Sequence, residues 1–295
     1  TPDVYEGAPV PITLFMAGAI KAAGFAVLAR LLLTAFQAPG FMTLEPDLPT
    51  LLLVLALGTM TLGNLLGVLQ TSVVRLLAYS SIAHAGHLLL GMVVMPALTD
   101  APASSALHPS VPFHLVTYVV ASIGAFGVLA FVARARRDPL TLEHLDGLGR
   151  RHPLLALVLA GSVLSLAGVP PTAGFLGKLY VFQALLAADR ANLPWVIVAV
   201  LNAVVALYYY LRILVHVYFR EPPPDAESGG SETDGADPLS RPSLAARVVI
   251  GASLLTTLVL GILPQALVTA SSEAAAQAPL VIAGPAEVGS AATKP

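Results

Sequence analysis

The sequence predicts an all-α polytopic membrane protein of about seven transmembrane helices, one of them discontinuous, and three observations carry that prediction. Hydrophobic residues make up 56% of the chain and charged residues 11%, with a mean hydropathy of +0.81, far from soluble composition. The apolar residues are gathered into runs of bilayer length, separated by polar, proline-marked loops. One run, 154–188, exceeds a bilayer's thickness and carries the interruption GVPPTAG at 168–174.

Taken in order, TPDVYEGAP is read as a turn-rich polar entry, and Pro11 to Leu33 is an apolar run with Lys21 near its centre. After a loop holding three prolines, a second span covers about 50–69. The short connection QTSVVR leads into a third at about 73–95. A small polar loop precedes the fourth span, 113–132, and the charged stretch RARRDPLTLEHLDGLGRRHP after it is expected to lie along the membrane surface.

The fifth run would reach roughly 52 Å as one straight helix at 1.5 Å per residue, against about 30 Å of hydrocarbon. Pro170 and Pro171 remove two backbone donors, and Gly168 and Gly174 permit dihedrals that other residues resist. The run is therefore read as a membrane helix broken between Gly168 and Gly174, with Lys178 one turn past the break. Broken backbone at membrane depth is tolerated where protein or a water-filled cavity satisfies it, and transporters build ion sites there. The competing account is a proline kink with a snorkelling lysine, although Lys178 is far from either end of its run.

A sixth span at about 195–219 begins with Trp195 and ends near Tyr218, where amphipathic rings favour the interface. EPPPDAESGGSETDGAD has nothing to bury and reads as a flexible acidic loop within 221–243. A seventh span at about 244–267 precedes an alanine-rich tail, 271–295. The loops on the Thr1 side hold nine basic residues and those on the other side three, which places Thr1 in the cytoplasm and the tail outside.

The chain has only three lysines, and two of them, Lys21 and Lys178, fall near the middle of spans that contain no aspartate or glutamate. A charged group at that depth is expensive and is a functional candidate by default, here for loading and releasing a proton. The alternative for Lys21 is a packing lysine bonded to a carbonyl. On the third span Ser80, His84, His87 and Gly91 share one helical face. Imidazole titrates near neutrality and carries two nitrogens, so His84 is a candidate proton-transfer group and Ser80, His87, His114 and Tyr118 are possible members of a hydrated relay; the alternative, interhelical hydrogen bonds without transfer, is preferred for His87. His114, Tyr118 and Ser122 form an i, i+4, i+8 stripe on the fourth span. Arg212 and His216, below Tyr208, approach a helix end and are read as anchors, whereas His108, His144 and His152 are read as solvated loop residues.

Zero cysteines exclude disulfides, thiolate metal sites and cysteine-ligated clusters within the chain. No P-loop, dinucleotide fingerprint, metal-ligand spacing or nucleophile elbow occurs. A net charge of −2 without a dense basic patch gives no support to a nucleic-acid partner.

Five stretches taken together resemble a known family: TPDVYEGAP (1–9), KAAGFAVLAR (21–30), GNLLGVLQTSVVRLLAYSSIAHAGHLLLG (63–91), SLAGVPPTAGFLGKLYVF (165–182) and LYYYLR (207–212). The chain is similar to the antiporter-like membrane subunits of proton-pumping NADH:quinone oxidoreductase, respiratory complex I, and among them most to subunit N. The resemblance implies a fourteen-helix fold with two inverted five-helix repeats, of which this chain would begin just before the eighth helix. It implies that Lys178 is the lysine of the second broken helix, Lys21 the connecting lysine of the eighth, and His84 the histidine of AYSSIAH. His87 stands where tyrosine is commoner, and Val74 where lysine is frequent. Also implied are a bacterial inner membrane location, other complex I membrane subunits as partners, and no cofactor bound by this chain, with NADH, FMN, iron–sulfur clusters and quinone handled elsewhere in the complex. The function expected is proton translocation through buried lysines, driven by quinone reduction elsewhere. The alternatives are a subunit of a Mrp-type cation/proton antiporter and a structural membrane scaffold.

Overall fold

The computed structural model describes residues 2–34, 48–94, 109–134, 139–222 and 244–277. Within them the chain is helical, with one isolated bridge between Ser72 and Thr141. The helices are α1 (Pro2–Gly7), α2 (Val10–Phe15), a π-helical turn Met16–Ile20, α3 (Lys21–Thr34), α4 (Leu48–Val68), α5 (Val73–Met92) and α6 (Ser110–Arg134), followed by α7 (Leu148–Arg151), α8 (Pro153–Ala167), α9 (Ala173–Ala188), α10 (Leu193–Phe219), α11 (Leu244–Ile262) and α12 (Gln265–Gln277).

Among the described residues, five helical stretches are long and apolar enough to cross a bilayer: Val10–Leu32, Leu48–Val68, Val73–Met92, Ser110–Ala133 and Arg190–Phe219. The halves α8 and α9 are shorter and lie in series around 168–172. Leucines and valines stand exposed at helical spacing along α4 (Leu51, Val54, Leu55, Leu62, Leu65) and α10 (Ile197, Val200, Leu201, Val204, Leu211). Such outer faces suit lipid, in which an apolar surface costs nothing.

With no hydrophobic drive between helices in lipid, close packing must hold the bundle. The hairpin α4–α5 does this through small residues: a Cβ at Gly63 would lie 2.7 Å from the Ala83 nitrogen, and one at Gly86 would lie 2.7 Å from the Ala56 carbonyl. α5 is thereby enclosed along most of its length.

The buried apolar side chains form two clusters. One gathers Leu76, Leu77, Phe126, Leu129, Leu159 and Tyr209 toward one end of the bundle. The other gathers Met60, Leu88, Leu90, Val181, Leu185 and Ala199 toward the opposite end. On α5 the first cluster stops at Ala78 and the second begins at Leu88. The intervening turns carry the buried polar residues Ser80, Ser81, His84 and His87.

Four elements differ from the sequence expectation. The entry segment is a short helix, not a run of turns: Tyr5 is buried edge-on against Phe126 at 6.3 Å, and Asp3 and Glu6, neighbours at i, i+3, bind Arg75. Tyr5's hydroxyl is shifted upward, chiefly by burial. The first long span has a π-helical turn immediately before Lys21. The charged stretch after α6 does not simply lie on the surface: Leu140, Leu142, Leu145 and Leu148 are buried, and Leu142 N–H donates to the Thr71 carbonyl at 3.1 Å. Finally, α11 ends at Ile262 because Pro264 lacks the N–H to continue it, and its carbonyl starts α12 by accepting from Leu267 and Val268. The acidic loop 223–243, most of the tail (278–295) and His108 lie outside the described residues.

Candidate proton-transfer site

The break between α8 and α9 is sealed almost entirely by its own residues. A helix leaves its last four carbonyls without intrahelical donors. At the end of α8, the Leu164 carbonyl accepts from the Gly168 and Val169 N–H groups, both at 3.0 Å, and the Ser165 carbonyl also accepts from Gly168. The remaining two, on Leu166 and Ala167, accept from the Lys178 ammonium at 2.9 and 2.8 Å. Gly168 makes this possible: its backbone is left-handed, at φ +83°, and a Cβ there would sit 3.0 Å from Lys178 Cδ. At the start of α9 the Gly174 N–H donates to Ser165 Oγ at 3.1 Å. Pro171 follows Pro170 through a cis peptide bond.

Lys178 is buried at 5% exposure, with no carboxylate in the described part of any span. Its counter-charge is the carbonyl end of α8, the negative pole of a half-helix dipole. This answers how a membrane lysine is accommodated without an acid. It also removes the snorkelling account, since the ammonium turns inward onto the break.

Lys21 is reached from the other direction. Its ammonium donates to the main-chain oxygen and the hydroxyl of Ser81 on α5, lies 3.5 Å from the Tyr118 hydroxyl of α6, and stands 4.8 Å from that ring's centroid. Tyr118 in turn donates to Ser81 Oγ at 2.9 Å. Lys21 is half-buried and therefore couples two helices as well as resting on a carbonyl.

Imidazoles lie between the lysines. His84 lies beside Tyr118 with ring centroids 5.0 Å apart and planes tilted by 40°; its Nδ1 is 3.4 Å from His114 Nε2 and its Nε2 3.3 Å from the Tyr210 hydroxyl. These are long hydrogen bonds, suited to rearrangement more than to rigidity. Tyr210 is also hydrogen-bonded to Ser80. His114 Nδ1 lies against Gly177, where a Cβ would come within 2.9 Å of it, and Gly177 immediately precedes Lys178. The polar side chains from Lys21 to Lys178 thus form one nearly continuous layer, flanked by the two apolar clusters. A cavity of about 330 Å³ reaches Lys178 beside Gly168, Phe175, Phe182 and Val204.

The sequence-selected groups Lys21, Lys178, Ser80, His84, His114 and Tyr118 all meet in this layer. Ser122, buried on the same stripe, joins it through a side-chain hydrogen bond with Tyr118. His87 departs from its reading: its Nδ1 is 3.1 Å from the Ala83 carbonyl of its own helix, not of another. Arg212 and His216 serve as anchors. Arg212 donates to the Val68 and Gln70 carbonyls, and His216 pairs with Asp146 at 2.5 Å. His144 is no free loop residue, since its ring and Thr141 form a reciprocal cap. Sequence reasoning missed Ser81, Tyr209, Tyr210, Asn64 and Asn202. Asn64 donates to Asn202 Oδ1 at 3.1 Å and accepts from Tyr209 at 3.0 Å. Both asparagines could have been found as lone amides in apolar spans.

Residues 1–206 match the family described as NADH:quinone oxidoreductase/Mrp antiporter, TM. NADH-quinone oxidoreductase subunit N 1 of Sorangium cellulosum is 44% identical over 266 residues, 90% of this chain and 49% of that protein. A chain in the structure of respiratory complex I from Thermus thermophilus with bound aureothin has a TM-score of 0.71 at 34% identity, covering 91% of this chain and 53% of that one. A chain in the Mrp complex from Dietzia sp. DQ12-45-1b has a TM-score of 0.74 at 23% identity over 93% of this chain and 54% of that one, a likeness of fold alone. The chain spans about half the length of the curated relatives it matches.

Proposed function

Because this chain belongs to the NADH:quinone oxidoreductase/Mrp antiporter membrane family, we propose that it is a proton-translocating chain of the subunit N type of NADH-quinone oxidoreductase, multi-pass in the membrane and with no redox chemistry of its own. The observation that carries the reading is the placement of two membrane lysines, far apart in sequence, at the two ends of one buried polar layer.

Lys178 holds a proton against the open carbonyls of α8. On losing it, the amine keeps two N–H donors for the two carbonyls but gives up the charge that strengthens both bonds, so its charge state and the seal of the break are coupled. His84 and His114 can each take a proton on one nitrogen and release one from the other, which passes charge without moving a heavy group. Lys21, Ser81 and Tyr118 form the far terminus of the layer. Quinone reduction elsewhere in the complex supplies the driving force. The α8–α9 pair counts as one discontinuous span and α11 as the last, giving seven in all. The excess of arginine in the loops on the Thr1 side supports a cytoplasmic Thr1 end. NADH, flavin, iron–sulfur clusters and quinone belong to other subunits in this reading. The identity to subunit N relatives, against 23% to the Mrp chain, favours redox-driven transport over a cation antiporter.

The test is Lys178→Ala in the assembled complex. NADH-driven proton pumping should fall sharply while assembly is kept. Undiminished pumping would overturn the role of Lys178, and sodium-dependent proton flux without NADH would select the antiporter reading.

A further inference from the structure

Two buried ring nitrogens in the polar layer have no hydrogen-bond partner among the described residues, His87 Nε2 and His114 Nδ1. We propose that they bind one water molecule between them, and that His87 is a positioning residue that holds this water for proton transfer through His114. The proposal rests on the functional reading above and adds to it a residue that the lysine route does not use.

The tautomer of His87 follows from its surroundings. Its Nδ1 faces the Ala83 carbonyl at 3.1 Å, and a carbonyl only accepts, so Nδ1 carries the proton and Nε2 is a bare acceptor in the neutral ring. His114 Nε2 is engaged with His84, which leaves Nδ1 as its open end. The two rings are 5.8 Å apart, tilted by 32°, and make no direct hydrogen bond to each other. Each is nearly fully buried, at 2% and 1% exposure. Buried polar atoms are almost always satisfied by protein or ordered water, and an internal water needs two or more polar partners. The water's two hydrogens suffice for the two ring nitrogens, and Thr117 Oγ1 does not compete for the site as a donor, since its hydrogen goes to the His114 carbonyl at 3.0 Å. The Phe182 ring, 6.2 Å from that of His87, closes the apolar side.

The titratable groups around this water are His84 on the same helix, His114 and Tyr118 on α6, and Lys178 on α9. A proton arriving on the water moves to His114 Nδ1 while His114 Nε2 releases one toward His84 Nδ1, leaving water and a neutral ring behind. His87 Nε2 can take the same proton, but its other nitrogen is tied to a main-chain carbonyl. It therefore returns the proton to the water it came from and conducts nothing onward. His87 is a branch that orients and loads the water.

Two measurements on the complete complex decide the matter. A cryo-EM map fine enough to show waters should contain a peak within hydrogen-bond distance of both nitrogens; rings in direct contact, or a dry gap, would overturn the site. His87→Phe removes the acceptor and should slow NADH-driven proton pumping up to about tenfold, the rate equivalent of one hydrogen bond. His87→Gln, which keeps an acceptor oxygen, should restore most of it. Normal pumping in His87→Phe, or equal loss in both variants, refutes the positioning role. If Lys178→Ala is inactive while His87→Phe is normal, only this inference fails; if Lys178→Ala pumps normally, the functional reading fails first.

Discussion

Replacing Gly168 by valine tests the helix break without removing a titratable group. The residue sits at φ +83° and ψ 45°, where a side chain costs about 1–2 kcal/mol in an L-residue and more when β-branched. The new Cβ would lie 3.0 Å from Lys178 Cδ and 3.3 Å from its Nζ, closer than ordinary contact, and valine's two methyl groups add to the crowding. The lysine must move, and it gives up one or both of the Leu166 and Ala167 carbonyls. Hydrogen bonds from a charged donor are worth about 1.5–3 kcal/mol each, so with the backbone term the total is about 2.5–5 kcal/mol against the sealed break if one is lost and about 4–8 kcal/mol if both are. Inverted membrane vesicles carrying the assembled complex should show NADH-driven acidification reduced at least as much as in a lysine deletion. Gly168→Asn, which tolerates the left-handed region, should lose less. Wild-type pumping in Gly168→Val would refute the claim that Lys178 works from the carbonyl end of α8.

Gly86→Val should disrupt the α4–α5 hairpin, because its Cβ would meet the Ala56 carbonyl at 2.7 Å and Met60 at 2.8 Å. Backbone cannot yield as a side chain can, so a cost of at least about 1–3 kcal/mol is expected, read as lost assembly on a native gel. Tyr210→Phe should leave assembly intact, removing a hydroxyl bonded to Ser80 and His84. With His84 Nε2 unpaired, pumping should slow by about tenfold, one to two kcal/mol in the barrier; an unchanged rate would exclude Tyr210 from the path.

Much of the architecture was legible in the chain. Hydropathy alone places the long spans, since each must satisfy its backbone internally and face lipid. GVPPTAG marks the break because two prolines and two glycines cannot continue a helix. The shared face of Ser80, His84 and His87 follows from helical periodicity. That Lys178 is a functional candidate follows from its depth.

What the sequence alone could not decide is who meets whom. Lys21 and Ser81 are 60 residues apart, His84 and Tyr210 are 126, and Asn64 and Asn202 are 138. Such pairings arise from the packing of helices, to which local periodicity is blind. The counter-charge of Lys178 was equally hidden. A search for acids finds none, whereas the tertiary structure supplies main-chain carbonyls, which every residue carries and which become special only where a helix stops. The descent of Leu140, Leu142, Leu145 and Leu148 into the bundle, from a stretch whose charges suggest a surface, has the same cause. Alternation of charged and apolar residues is read by whichever neighbour buries the apolar ones, and that neighbour is known only once the helices are assembled.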